Sequence, residues 1–197
     1  ETRVTEALAI VEKIRSAFDD AGASVDEPPL PTIPGFSGLE LLGRGGFGTV
    51  YRAHDETLGR QVALKFLPRL TLTESERETL LHEARALASI DQTNVVKVHS
   101  VHETERWIVL VMELLDGRPV DALVESEGPL GPGETIELGR QLARALAAVH
   151  GRGVVHRDVK PANIIRRKGG RFALADFGLA LGQGETASGR EVGSNVV

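Results

Sequence analysis

A chain of 197 residues can bury a core of respectable size in one domain or slightly more. With 23 Lys and Arg against 28 Asp and Glu it carries a net charge of −5, which excludes the broad basic field that draws in nucleic acid. Cys is absent, which excludes disulfides, thiolate zinc sites and thiol redox switching and agrees with a cytoplasmic setting.

The chain opens on Glu1 rather than Met, without a charged-then-apolar leader, and so reads as cut from a longer polypeptide. Val4, Leu8, Val11, Ile14 and Phe18 recur at three- and four-residue steps and predict an amphipathic helix over residues 2 to 20. Its apolar stripe needs a cover: a cap on this domain, contact with an upstream one, or a dimer. Residues 1–21 are assigned to that helix, and residues 22–35, with Gly22, Pro28, Pro29, Pro31 and Pro34, to an extended linker. The main domain then begins near Phe36.

From there the pattern is strand-like, with Leu39 to Leu42, Thr49 to Ala53, Gln61 to Phe66, Val95 to Val101 and Trp107 to Val111 as five strands. One helix, about Glu74 to Ile90, interrupts them and gathers Leu80, Leu81, Ala84, Leu87 and Ala88 on one face. The longest strongly apolar run, Trp107 to Met112, is far short of the roughly 20 residues needed to span a bilayer. Past the Asp116-Gly117 turn the character becomes mainly helical, with Val120 to Ser126 and Glu134 to His150 as helices. An antiparallel five-stranded region with one helix, residues 36–112, followed by a helical region, residues 113–197, predicts an α+β fold of two lobes.

Gly43-Arg44-Gly45-Gly46-Phe47-Gly48-Thr49-Val50 has the form G-x-G-x-x-G-x-V. Dinucleotide-binding folds share such spacing, but there a helix follows; here Val50 to Ala53 reads as a strand, so the loop is a strand–loop–strand cover. Val62-Ala63-Leu64-Lys65 ends an apolar strand in a lysine, a charge that on most strands is simply solvated. Farther on, His156-Arg157-Asp158-Val159-Lys160-Pro161-Ala162-Asn163 is followed, after an intervening hairpin, by Asp176-Phe177-Gly178. Two acids, an amide and an amine in this order could grip a metal-bound triphosphate. The plain alternative is a loop of turn-forming Asp and Asn, which eight ordered positions and a spaced Asp-Phe-Gly make improbable.

The combination resembles protein kinases, specifically the bacterial serine/threonine type, from about Phe36 to Ser194. The resemblance implies a protein-kinase fold and ATP and Mg2+ as cofactors, with Gly43, Gly45, Gly46, Phe47 and Gly48 covering the phosphates. It makes Lys65 the lysine on the α- and β-phosphates and Glu83 its helix partner, Asp158 the acceptor of the hydroxyl proton, Lys160 the charge on the transferring group, and Asn163 and Asp176 the metal ligands. Val50, Ala63 and Ile165 would sandwich the adenine, Met112 would back its pocket, and Glu113 to Leu115 would form the hinge. Leu87, Val98, His156 and Phe177 would stack into an internal column; for all of these packing residues an ordinary core role is the plainer reading. Lys160-Pro161 points to Ser or Thr hydroxyls of proteins as acceptors, and Arg157 to a phosphate-ordered activation loop containing Thr186, Ser188 and Ser194.

The chain ends at Val197, before any Ala-Pro-Glu signature, so the resemblance implies a retained nucleotide site and poor catalysis in isolation. The reading from another class is a non-catalytic nucleotide-binding or scaffold module, like a pseudokinase, against which the intact Lys65, Glu83, Asp158, Asn163 and Asp176 argue. A metabolic phosphotransferase matches the Lys-Pro-Ala-Asn run only loosely.

Overall fold

The computed structural model describes residues 32–45 and 48–178. The helix expected over residues 2 to 20, most of the linker, and Thr186, Ser188 and Ser194 lie outside the described residues.

Five strands, β1 (Phe36–Gly45), β2 (Gly48–Asp55), β3 (Arg60–Pro68), β4 (Val98–Glu103) and β5 (Trp107–Glu113), form one antiparallel sheet in the order β1-β2-β3-β5-β4. β3 and β5 are buried along almost their whole length, as their runs of Val, Leu, Ile and Phe require. One face carries a cluster of Ile33, Tyr51, Val62, Leu64, Phe66 and Val111. The other face packs on α1 (Glu74–Ala88), whose buried Leu80, Ala84 and Leu87 recur at helical steps. Thr73 and Glu76 start that helix with a capping box: the Glu76 N–H donates to Thr73 Oγ1 at 3.3 Å, and the Thr73 N–H donates to Glu76 Oε2 at 2.7 Å.

The second lobe contains α2 (Val120–Glu127), α3 (Pro132–His150) and a 3-10 turn, Pro161–Asn163. It also holds a small antiparallel sheet of β6 (Gly117–Pro119), β7 (Ile164–Arg167) and β8 (Phe172–Leu174). β7 and β8 are the hairpin expected between Asn163 and Asp176; β6 has no counterpart in the sequence reading, because Gly117-Arg118-Pro119 carries no strand pattern. Its glycine is required there: a Cβ on Gly117 would lie 2.4 Å from the Arg166 carbonyl oxygen.

β4 starts three residues later than the apolar run from Val95 predicts. Val95 instead makes an isolated parallel bridge to Leu174, with the Val96 N–H donating to Leu174 O at 2.9 Å and the Leu174 N–H to Asn94 O at 2.7 Å. This seam stitches the first lobe to the second. Asn94, buried beneath it, donates to Gln141 Oε1 at 2.6 Å and to Phe172 O at 2.7 Å. No helix among the described residues is long and apolar enough to cross a membrane.

Candidate active site

The glycine loop joins β1 to β2 as a hairpin, with Gly43 opposite Val50 and Gly45 opposite Gly48; Gly46 and Phe47 lie outside the described residues. Gly48 has φ +133°, and a Cβ there would come within 2.3 Å of Phe66 O, so the loop closes down on β3 only with glycine in that position. Antiparallel register sets Val50 against Lys65, and Ala63 against Met112 on β5. Ala63 and Met112 belong to the main core, against which Val50 and Leu115 pack; Ile165 is half-buried on β7.

Lys65 is 2% exposed, a burial at which an ammonium requires partners. Its Nζ donates to the Asp176 carboxylate and, at 3.2 Å, to Phe177 O. The sequence reading pairs Lys65 with Glu83. In this structure Glu83 on α1 instead faces Arg157 Nη2 at 3.4 Å, and no Lys65–Glu83 ion pair occurs among the described residues. Both arrangements join the first lobe to the loops that follow α3. Arg157 and Asp176 are the two non-glycine residues with positive φ among those described, 63° and 54°. Backbone strain of this kind gathers where side chains must be aimed.

The loop after α3 closes on itself. Asn163 Nδ2 donates to Asp158 O at 2.8 Å and to Asp158 Oδ2 at 2.9 Å, and Lys160 Nζ lies 2.7 Å from the same Oδ2. Burial pushes the Asp158 carboxyl up, but the bonds from Lys160 and Asn163 outweigh it and hold its pKa below the ordinary carboxylate value. Asn163 is buried, and its carbonyl accepts the Ala175 N–H at 2.8 Å, which ties the metal-ligand candidate Asn163 to the strand end that carries Asp176.

His156 is buried against Phe177, their ring centroids 4.7 Å apart. Its Nε2 bonds Ala175 O at 3.0 Å and its Nδ1 accepts the Asp158 N–H at 3.3 Å, a pair of roles that fixes the neutral Nε2–H tautomer. Leu87, Val98 and Phe177 are buried in the same core cluster, and His156 packs on Phe177.

Arg167 is a residue that sequence reasoning passed over. From β7 its guanidinium pairs with Glu113, the first of the three expected hinge residues. The contact spans 54 positions, and nothing local in Ile164-Ile165-Arg166-Arg167 announces it.

The Protein kinase domain family matches residues 36–195. The chain belongs to the protein kinase family. It is 38% identical over 160 residues to serine/threonine-protein kinase PknD of Mycobacterium tuberculosis, covering 79% of this chain and 24% of that protein. Against PknE of Mycobacterium bovis the identity is 36% over 141 residues, covering 71% and 25%, and against serine/threonine-protein kinase 36 of Pongo abelii 35% over 142 residues, covering 72% and 11%. The chain thus spans about a quarter or less of the curated relatives it matches. Among solved structures, Rad53 1-466 in complex with AMP-PNP superposes with a TM-score of 0.67 at 28% identity, over 74% of this chain and 38% of that one. The three relatives are named as serine/threonine-protein kinases, and the protein kinase family generally uses ATP with Mg2+.

Proposed function

We propose that this chain carries the nucleotide grip and transfer apparatus of a serine/threonine protein kinase that moves the terminal phosphoryl group of ATP to Ser or Thr hydroxyls of proteins. The observation that supports it best is the mutual bonding of Asp158, Lys160 and Asn163 at 2.7 to 2.9 Å, in a loop cluster tied to the Asp176 strand end through Asn163. Held ionised by its neighbours, Asp158 accepts the proton of the substrate hydroxyl as the new O–P bond forms and the P–O bond to ADP breaks. Lys160 offsets charge on the group in transit.

The oxygens of Asn163 and Asp176 are hard donors that fit Mg2+, which when bound supplies charge neutralisation at the phosphate oxygens. Lys65, now on Asp176, is the amine positioned to turn to the α- and β-phosphates, freeing the Asp176 carboxylate for the metal. Gly43, Gly45, Gly46, Phe47 and Gly48 cover the phosphates; Val50, Ala63, Met112, Glu113, Leu115 and Ile165 take the adenine. Residues 36–112 and 113–197 are read as the two lobes, entered through helix 1–21 and linker 22–35, in a cytoplasmic protein.

Calorimetry of Mg-ATP binding and radiolabel transfer to a generic basic protein test this on the protein that contains the chain. Binding and transfer in the wild type are expected, with binding lost in Lys65→Met and transfer reduced by orders of magnitude in Asp158→Asn while binding persists. No Mg-ATP binding in the wild type would sink the assignment. A second reading, a non-catalytic nucleotide-binding scaffold, draws on the pairing of Lys65 with Asp176 and Glu83 with Arg157. Binding without any transfer selects it.

A further inference from the structure

A cavity of about 440 Å³ opens on the second lobe beside the β7–β8 turn, and none of the nucleotide-site residues lines it. Arg140, Arg144 and Arg171 line it with a single carboxylate, Glu137. Its wall also includes Asn94 and Gln141, buried and bonded to each other, while Gln141 Nε2 holds Glu137 Oε1 at 2.7 Å.

Glu137 is engaged by Arg140, whose Nε lies 2.8 Å from Oε2. Arg144 stands close enough to Glu137 to help keep it ionised, but neither Arg144 nor Arg171 is within ion-pair distance of a carboxylate among the described residues. Arg140 and Arg144 stand one turn apart on α3, a like-charge spacing that costs a helix a few tenths of a kcal/mol. The neighbouring groove of about 350 Å³ is also lined at +2, but there every cation has a carboxylate: Arg118 pairs with Glu127 at 2.8 Å, Lys168 with Asp116 at 2.7 Å, Arg166 with Glu134 at 2.6 Å, and Arg167 with Glu113. Three arginines against one glutamate leave the first cavity at +2, on a chain whose net charge is −5.

We propose that this cavity binds a protein segment carrying phosphoserine or phosphothreonine, with Arg144 and Arg171 on the phosphate. Two unmatched guanidinium forks suit a dianion better than a single carboxylate, and Arg presents paired N–H groups at the spacing of phosphate oxygens. The site is separate from the nucleotide grip, and its failure is distinguishable from failure of the kinase reading.

The test is fluorescence anisotropy with labelled nonapeptide pools centred on phosphothreonine, threonine or glutamate, titrated with the protein that contains the chain. The phosphothreonine pool is expected to bind at least about tenfold tighter than either other pool. The Arg144→Ala/Arg171→Ala double variant should lose that preference while its unfolding midpoint and Mg-ATP affinity stay unchanged, and Arg106→Ala, on the first lobe, should bind as wild type. Equal affinity for the three pools overturns the proposal, as does a preference that survives in the double variant. Stronger binding to phosphatidylserine vesicles than to the phosphothreonine pool also overturns it, by assigning the arginines to a lipid surface.

Discussion

The imidazole of His156 is packed on Phe177 and cut off from water, and burial pushes its pKa below the usual 6.5. Between that lowered value and 6.5 the unfolded chain binds the proton and the folded chain does not, so this contribution to stability is present above pH 6.5 and lost as the pH falls. His99, lowered chiefly by burial, acts in the same direction. Chemical denaturation is expected to give a smaller unfolding free energy at pH 5 than at pH 7.5, with a slope of at most about 1.4 kcal/mol per pH unit for each histidine. His156→Gln should flatten that slope and leave the His99 part; a slope identical to wild type would show that His156 titrates alike in both states. The other expected site residues were named from their order along the chain, which is itself the signal. The partner choices of Lys65 and Glu83 were not, since an ammonium and a guanidinium near two carboxylates can pair in more than one way, and packing between the lobes decides which.

At the scale of elements, α1 is where local rules and tertiary packing agree. Its apolar face at Leu80, Ala84 and Leu87 follows from spacing alone, and Glu83, one position before Ala84, is turned toward Arg157 by the same face. The Thr73–Glu76 box gives the helix a defined start, and Thr73→Ala is expected to cost about 1 kcal/mol in urea denaturation, since the Glu76 N–H loses its acceptor and the Glu76 carboxylate loses the hydroxyl that donates to it. A loss below a few tenths would mean that water caps the helix as well as threonine does. All five strands of the large sheet were readable from Val, Ile, Leu and Phe runs. β6 was not: three residues, one a proline and one a glycine, form a strand only because β7 offers them an edge. The displaced start of β4 has a similar cause, with Val95 and Val96 drawn off to Leu174.

Across the whole molecule, polar ties add to the apolar core: Lys65 with Asp176, Glu83 with Arg157, and Asn94 with Gln141 and Phe172 join the two lobes, and Glu113 with Arg167 ties the end of β5 to β7. The Lys65 tie buries its ammonium, and the Glu83–Arg157 and Glu113–Arg167 pairs are partly exposed. The Asn94 tie is buried, and Asn94→Ala would strand the Phe172 carbonyl and one bond of Gln141 away from water. Such losses cost about 1–3 kcal/mol per group, which denaturant titration would register as a lowered midpoint at constant slope. Additive losses in Asn94→Ala and Gln141→Ala, measured singly and together, would contradict a shared network. The same asparagine also imposes an order on biosynthesis. Its amide waits for a carbonyl 78 residues later in the chain, which at about 5–20 residues per second is a delay of about 4–16 s on the ribosome. β4 and β5 are made early in that interval, and for the rest of it the nascent first lobe has all its strands but an open lower seam, a stretch of synthesis in which a chaperone has something to hold.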